Sequence, residues 1–482
     1  MISTKFIDEP SLQFGKDQHI CPRQGIYSFN PYDIDLSTRP DKIKIGIIGK
    51  SDSVEQILEW IEDCQSHIEG KTSKNPHPNL FMNFCGFNKE LGFKSEIIYD
   101  DSYIRNINNS DFLDIIKNCK SLAERIKLIA ELYLTEIKYL ANNRKPDVIL
   151  CVLSDNFLTS IKGDDNVENV DDEDIEKDPY EDKEESSYLE QNFRRYLKAK
   201  AMRYKIPIQL MRDKISKPNS SMQDPATIAW NFFTAIYYKA SGTPWALIRK
   251  DFSETTCYAG VSFFQSRDRK SIQTSIAQIF NELGNGVILR GEEVRTNKRD
   301  RVPHLSEEQA FQLLSLSLKE YYDTVKIFPK RLVLHKTSNF SPDEIYGFKQ
   351  AAKKSNIYQI DLVTIQPSPI RLYRTGQYPP LRGTQMRLAE DRHLLYTRGS
   401  VPHYETYTGM YIPSPIEVRL FEYDESPDLI CEEIIGLTKM NWNNTQFDRK
   451  FPITIECARN VGDILKYLEP EDPMELKYSF YM

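Results

Sequence analysis

The sequence has 482 residues, enough for two or three domains, and its 40% hydrophobic and 28% charged residues are typical of a soluble globular protein. It contains no apolar run near the roughly 20 residues of a membrane helix and no signal-peptide stretch at its start. The eight cysteines are scattered without a zinc spacing, which favours reduced, buried thiols and a cytoplasmic location. The net charge of −7 argues at first against a nucleic-acid partner.

The acidic residues are concentrated in one segment, residues 163–187. This segment holds 13 acidic residues and two lysines, so the rest of the chain carries a net charge of about +4. The net charge is therefore no argument against a nucleic-acid partner. The low hydrophobicity of the segment predicts a solvated, disordered surface loop. A nucleic-acid mimic that covers a basic groove is the alternative.

The first part of the chain alternates between strand and helix patterns. Residues 1–42 show no sustained period and predict an extended lead-in. The runs KIKIGIIG and PDVILCVLSD are typical of buried strands, and helical patterns lie between them. Such alternation predicts a parallel sheet covered on both faces. The motif GIIGKS lacks the glycine spacing of a nucleotide-binding loop and predicts a plain strand-to-helix turn.

A second alternating unit follows residue 247. Its predicted strands are CYAGVSFF, GNGVILRG and KRLVLHKT. Two of its helices begin at capping boxes, Ser306 with Gln309 and Ser341 with Glu344. The sequence therefore predicts an α/β protein with two closely packed lobes.

The stretch FRRYLKAKAMRYKIPIQL predicts a basic helix followed by a strand. Tyr196, Lys200 and Arg203 share one stripe of this helix, and Gln209 lies on the strand. A hydroxyl one turn away from a lysine can hold a phosphate through a hydrogen bond and a charge. The next helix, PATIAWNFFTAIYYK, ends at Lys239 before a turn of small residues and a Pro-Trp pair.

This order of groups resembles the MID domain of prokaryotic Argonautes. In that family the corresponding positions hold the 5′-phosphate of a guide strand. The resemblance therefore implies a guide 5′-phosphate site formed by Tyr196, Lys200, Gln209 and Lys239.

The resemblance extends over nearly the whole chain. RLVLHKTSNFSPDEIYGF, LLYTRGSVPHYETYTGMYIPSPIEV and LTKMNWNNTQFDRKFPITIECARNVGDIL look like successive parts of a PIWI domain. It implies a lead-in over 1–42, a Rossmann-like MID domain over 43–247 and an RNase H-like PIWI domain over 248–482. Nothing resembling the N-terminal or PAZ domains precedes residue 40, so the sequence is most similar to the short prokaryotic Argonautes.

The positions that match the PIWI nuclease site lack carboxylates. Active members hold two divalent cations with three acids and a fourth acid or histidine, but this sequence has Ser262, Thr337 and Asn441 there. Asn441 lies in the amide-rich stretch 437–448, which is predicted to close a strand and lead into a helix. Hard cations need anionic oxygens, so the resemblance implies an inactive pseudo-nuclease. A guide-dependent nuclease with relocated metal ligands is the alternative.

Cations outside the pocket are predicted to contact the nucleic-acid backbone, because such contacts add salt-dependent affinity that is independent of sequence. The predicted backbone contacts are Arg203, Arg290, Arg295, Lys298, Arg382, Arg398, Lys439 and Arg459. In several Argonautes the terminal carboxylate helps to hold a Mg²⁺ ion at the guide phosphate. The resemblance therefore implies this role for Met482, with Mg²⁺ as a non-catalytic cofactor.

The resemblance also implies partners. They are a guide RNA, a complementary single-stranded target DNA and a separate APAZ protein that is fused to an effector and forms a heterodimer with this chain. The effector would be a TIR or sirtuin-like domain that destroys NAD⁺, or a nuclease. Target pairing would activate it, with possible assembly into a higher oligomer, in bacterial immunity against plasmids and phages. A generic phosphate-binding α/β protein unrelated to guides is a further alternative.

Overall fold

The structure is a computed structural model. It describes residues 2–71, 77–119, 121–154, 188–217, 222–248, 255–267, 271–280, 285–294, 302–373, 375, 379–407, 409, 412–446, 448–469 and 471–482. The acidic segment 163–187 lies outside the described residues, and so do Arg295 and Lys298.

The secondary structure is mixed. The described strands are β1 (Ser3–Phe6), β2 (Leu12–Gln13), β3 (Gln18–His19), β4 (Lys42–Gly49), β5 (Glu96–Ile98), β6 (Ile104–Asn106), β7 (Val148–Leu153), β8 (Ile208–Arg212), β9 (Ala246–Leu247), β10 (Thr256–Gln265), β11 (Ile272–Phe280), β12 (Asn285–Val294), β13 (Arg331–Lys336), β14 (Gln359–Pro367), β15 (Thr384–Arg387), β16 (Arg392–Leu395), β17 (Ser400–Val401), β18 (Thr406–Tyr407) and β19 (Ile416–Glu422). The described α-helices are α1 (Pro22–Phe29), α2 (Ser51–Asp63), α3 (Asn109–Asn118), α4 (Leu122–Asn143), α5 (Tyr188–Ala201), α6 (Pro225–Lys239), α7 (Glu307–Val325), α8 (Pro342–Lys354), α9 (Pro427–Leu437) and α10 (Ile453–Leu465).

The first lobe is built on a parallel sheet with the strand order β5-β4-β7-β8, and β6 pairs with the end of β4. All six residues of β7 are buried. Its side chains alternate between two apolar clusters, because Leu150 and Val152 face one side of the sheet and Ile149 and Cys151 face the other. This arrangement confirms the predicted parallel sheet covered on both faces.

The second lobe contains a mixed sheet with the order β1-β15-β16-β19-β14-β13-β10-β11-β12. Strands β12, β11 and β10 are antiparallel, and β10, β13 and β14 are parallel. This is the predicted RNase H-like arrangement. Helices α7 and α8 begin at the two predicted capping boxes and cover one face of the sheet, while α10 packs on the other.

The lead-in is not simply extended. Strand β1 pairs with β15 at the edge of the second-lobe sheet, and β2 pairs with both β3 and β9. Helix α1 follows them. A single apolar cluster also joins the lobes, since Ile45 of β4 and Ile434 of α9 both belong to it, which confirms the predicted close packing.

The stretch 437–448 was expected to close a strand, and this expectation is wrong. Helix α9 ends at Leu437, and the amide-rich residues form the loop between α9 and α10. The helix that they lead into was predicted correctly. None of the helices in the described ranges is sufficiently long and apolar to span a membrane.

Candidate nucleic-acid site

Helix α5 presents an apolar stripe to the first-lobe core. Phe193, Leu197 and Ala201 are buried against α4 and β7, as the helical spacing of these residues predicts. The helix ends at Ala201 and continues as a short 3₁₀ turn over Met202–Tyr204. This packing fixes which of the cations on α5 face inward.

Two buried ammonium groups meet beside the last residue of the sequence. The Nζ atom of Lys198 donates to the main-chain oxygen of Met482. The Nζ atom of Lys239, at the end of α6, donates to the same oxygen at 3.4 Å. Lys198 is only 7% exposed and Lys239 only 3%. We call Lys198, Lys239 and Met482 the anion pocket.

The charges around the anion pocket are cationic. Burial and, to a smaller extent, the nearby charge of Arg194 lower the pKa of Lys239 to about 7. Burial also lowers the pKa of Lys198 well below its ordinary value, and the charges of Lys239 and Arg194 add to this effect. An anion bound here would offset both the burial and the repulsion. The arrangement is therefore suited to a phosphate.

Two of the four predicted phosphate ligands lie elsewhere. Lys200 forms an ion pair with Asp472, and Arg203 donates to the same carboxylate at 2.8 Å. Tyr196 is buried, and its ring packs against that of Tyr467 with the centroids 6.2 Å apart. Lys198 and Lys200 are two residues apart, about 200° around the helix axis, and so lie on different sides of α5. The described contacts join Lys239 to Lys198 through Met482, and the phosphate role of Tyr196 and Lys200 stays a prediction.

Gln209 and Lys239 remain candidates for phosphate binding. Lys239 belongs to the anion pocket. The Nε2 atom of Gln209 donates to the carbonyl oxygen of Leu210 at 3.0 Å. Its Oε1 atom is buried, and no hydrogen-bond partner for it lies among the described residues. A side-chain amide with one end uncommitted fits a position that takes part in binding.

A signal for Lys198 was present in the sequence. Lys198 follows the buried Leu197 directly and lies one turn after Arg194, so the pair borders the apolar stripe. The spacing of Tyr196 and Lys200 is identical, and spacing alone does not separate the two pairs. Only the packing of α5 does.

The Mg²⁺ ion predicted at Met482 stays a prediction. The main-chain oxygen of Met482 accepts hydrogen bonds from two lysines, and positively charged lysines beside it would repel a metal ion. Within the described ranges, no three His, Cys, Asp or Glu side chains form a group that would hold a metal ion. A cation here would therefore depend on the oxygens of Met482 and on the phosphate oxygens of a bound strand.

The nuclease-site positions Ser262 and Thr337 lie at the same edge of the second-lobe sheet. Val261 of β10 is paired with Lys336 of β13 in parallel register, and each of the two positions comes one residue later. Nearby, α10 approaches β10 closely, because a Cβ atom added at Gly260 would lie 2.0 Å from the carbonyl oxygen of Thr454.

Asn441 joins the same region through α10. Its Nδ2 atom donates to Glu456 Oε2 at 3.0 Å, and its Oδ1 atom accepts the backbone N–H of Asn443 at 3.0 Å. The structure therefore brings the three positions to the start of α10. The acids Glu292 and Glu293 are exposed on the edge strand β12.

The residue before Thr337 on β13 is a buried cation rather than an acid. Lys336 is fully buried and pairs with Glu344 of α8. Its neighbour His335 shares a hydrogen bond of 2.8 Å with Thr454. Burial, together with the charge of Arg331, lowers the pKa of His335 to about 3, so this imidazole is neutral.

Two of the predicted backbone contacts, Arg382 and Lys439, are buried. Both bind Glu9 of the lead-in, Arg382 Nε at 2.7 Å and Lys439 Nζ at 3.0 Å. Both side chains are bound inside the protein and are not presented to a nucleic acid. In place of the predicted phosphate contact, they anchor the lead-in to the second lobe.

The other predicted backbone contacts differ in exposure. Arg459 is exposed and lies over the ring of Phe451 at 5.3 Å. Arg290 donates to Gln273 at 2.9 Å and Arg398 to the carbonyl oxygen of Asp448 at 3.0 Å. Arg203 is 45% exposed beside Asp472. Arg459 therefore fits the prediction best among the described members of the set.

Comparison with solved structures identifies the fold. No family model and no curated protein matches the sequence. The structure of Clostridium butyricum Argonaute bound to a guide DNA and a 19-mer target DNA matches with a TM-score of 0.66 and 15% identity, over 97% of this chain and 53% of that chain. Marinitoga piezophila Argonaute in complex with a 5′-OH guide RNA matches with a TM-score of 0.57 and 12% identity, over 99% and 59%.

The A. aeolicus Argonaute structure also matches, with a TM-score of 0.57 and 16% identity over 98% of this chain and 54% of that chain. The chain thus spans about half the length of the structures that it matches. At these identities the likeness shows the fold, which is the mixed α/β fold of the Argonaute MID and PIWI domains.

Proposed function

We propose that this chain binds the 5′-phosphorylated end of a short guide strand in the anion pocket and recognises a complementary strand without cutting it. The observation that carries the proposal is the convergence of Lys198 and Lys239, two buried lysines, on the main-chain oxygen of Met482 in a chain with the Argonaute fold. A phosphate bound here would accept hydrogen bonds from both amino groups and favour their charged forms.

A terminal phosphate matches the pocket better than an internal one. Both lysines have little exposure, so the end of a strand would reach them more readily than a continuous backbone would. A terminal phosphate also carries more negative charge than a phosphodiester. Gln209, with its uncommitted amide oxygen, is a further candidate to orient the ligand.

The loss of cleavage is supported by the chemistry at the three nuclease positions. Two divalent cations need several anionic oxygens to offset their dehydration, and Ser262, Thr337 and Asn441 supply none. We therefore propose a pseudo-nuclease. Base pairing with the guide would supply the sequence specificity, while cations such as Arg459 would add affinity that falls with salt.

The resemblance to short prokaryotic Argonautes supports the remaining parts of the proposal. They are a guide RNA, a single-stranded DNA target, and an APAZ-effector partner with which this chain forms a heterodimer. Target recognition would switch on the effector, most simply an NAD⁺-destroying TIR or sirtuin-like domain, in immunity against plasmids and phages. A nuclease effector is the alternative within this proposal.

The decisive experiment compares one RNA sequence with a 5′-phosphate and with a 5′-hydroxyl. We expect tighter binding of the phosphorylated RNA, measured by fluorescence polarisation with the purified chain. Equal affinities would refute the proposed pocket and favour a generic α/β protein.

A second assay separates the binding function from the nuclease alternative. The guide-loaded chain is incubated with a complementary labelled strand and Mg²⁺ or Mn²⁺, and we expect no cleavage. Metal-dependent cutting that is lost in Ser262→Ala or Asn441→Ala would establish relocated catalysis instead.

A further inference from the structure

Helix α5 is clasped by the segment that follows α10. Asp472 accepts hydrogen bonds from Lys200 and from Arg203 of the 3₁₀ turn. The Asp472 side chain is 9% exposed. Its own turn holds it in place, because it also accepts the backbone N–H of Glu469 at 3.0 Å. Burial alone would raise the pKa of Asp472, but the hydrogen bond from Lys200 and the nearby cations keep it below the ordinary value.

The same segment continues into the anion pocket. Beyond Asp472, the carbonyl oxygen of Leu476 accepts a hydrogen bond of 2.9 Å from the backbone N–H of Ile288 on β12. The chain then reaches Met482, whose main-chain oxygen accepts a hydrogen bond from Lys198. The segment after α10 therefore contacts α5 at two places, at Lys200 through Asp472 and at Lys198 through Met482.

The cations of α5 and of the following 3₁₀ turn have two kinds of partner. Lys200 and Arg203 form ion pairs with Asp472, and Arg195 forms one with Asp463 of α10. Lys198 instead donates to the main-chain oxygen of Met482.

We propose that Asp472 is a positioning residue that sets the selectivity of the anion pocket for a terminal phosphate; this inference rests on the proposed function. Asp472 acts through Lys200 and Arg203, which fix the rotation of α5, and through the segment that carries Met482. A small rotation of α5 would move the Lys198 ammonium group away from the phosphate, and charge-assisted hydrogen bonds depend on such geometry.

A positioning role for Asp472 and a purely electrostatic role predict different effects of Asp472→Asn on nucleic-acid binding. The substitution removes a negative charge close to the pocket, so electrostatics alone predicts tighter binding of every nucleic acid. Positioning predicts instead a lower ratio of the two dissociation constants, 5′-hydroxyl over 5′-phosphate. The ratio cancels the general gain from the added positive charge and isolates the contact with the terminal phosphate.

The experiment measures this ratio by fluorescence polarisation with the full chain. In Asp472→Asn we expect the ratio to fall about tenfold, the loss of one typical hydrogen bond. Asp472→Glu, which keeps the charge, should restore part of it. The matched control is Asp428→Asn, which removes an acid that is 53% exposed and paired with Lys5, and should leave the ratio unchanged.

The outcomes separate the two proposals. An unchanged ratio in Asp472→Asn would overturn the positioning role and leave the proposed function intact. A wild-type ratio of one would overturn both. Thermal unfolding reports whether the variant folds. The double variant Lys200→Gln/Arg203→Gln removes the same clasp from the helix side, and an unchanged ratio there would also overturn the inference.

Discussion

The substitution Lys198→Met tests the anion pocket most directly, because it should weaken binding without weakening the protein. Lys198 is 7% exposed, and its Nζ atom donates to the Met482 main-chain oxygen. Burial lowers the pKa of Lys198, and the neighbouring cations Lys239 and Arg194 lower it too. Methionine is of similar length and apolar, so the replacement removes the charge while it fills the space.

The expected magnitudes follow from the burial of the group. A hydrogen bond to a charged partner contributes about 1.5–3 kcal/mol, so the affinity for 5′-phosphorylated RNA should fall about 10- to 150-fold. The affinity for 5′-hydroxyl RNA should change much less. The melting temperature should change little, because Lys239 keeps a hydrogen bond to the same Met482 oxygen and the repulsion between Lys198 and the cations Lys239 and Arg194 is removed.

The comparison variant is Lys200→Met, which removes the lysine favoured by the sequence. Arg203 keeps its ion pair with Asp472 in that variant, so we expect a loss of about threefold or less, as for a partly exposed pair. Lys127→Met, at an exposed position on α4, serves as the control for general charge. A large loss in Lys200→Met with none in Lys198→Met would refute the structural assignment. A sharp fall in the melting temperature of Lys198→Met would show a structural role instead.

Two further predictions concern stability. Gly260→Ala should lower the melting temperature strongly or prevent folding, because its Cβ atom would lie 2.0 Å from the backbone oxygen of Thr454; Ser262→Ala, close by on the same strand, serves as the control. Glu9→Gln should cost about 3–5 kcal/mol in denaturant unfolding, because it leaves Arg382 and Lys439 buried without a carboxylate. Burial alone would raise the pKa of Glu9, but the two cations lower it from its ordinary 4.5. Its contribution is therefore present above that pH and is lost as the pH falls through the lowered value, a loss that should be absent in Glu9→Gln.

The elements that the sequence predicted well carry their own signals. Strands β4 and β7 are continuous apolar runs, and α7 and α8 begin at capping boxes that the structure confirms. The lead-in was missed because β1 and β2 are only four and two residues long and pair with strands distant in sequence. Such short strands have no period of their own and form only when their partners are in place.

The partners of the candidate cations could not be predicted from the sequence for the same reason. The acid that binds Lys200, Asp472, lies 272 residues beyond it. Likewise, Glu9 binds Arg382 across 373 positions and Lys439 across 430. A cation bound by an acid far along the chain has the same local sequence as one that faces solvent. Only the tertiary structure distinguishes them.

The proposed loss of cleavage involves more than three substituted positions. Near the start of α10, Glu456 is already paired, because it accepts hydrogen bonds from Asn441 and Arg449. Glu344, which binds Lys336, lies with α8 on the other face of the sheet. A divalent ion bound to Glu456 would have to displace Arg449 from that carboxylate. An acid introduced at Ser262 alone would therefore add one ligand beside a carboxylate that a cation already holds.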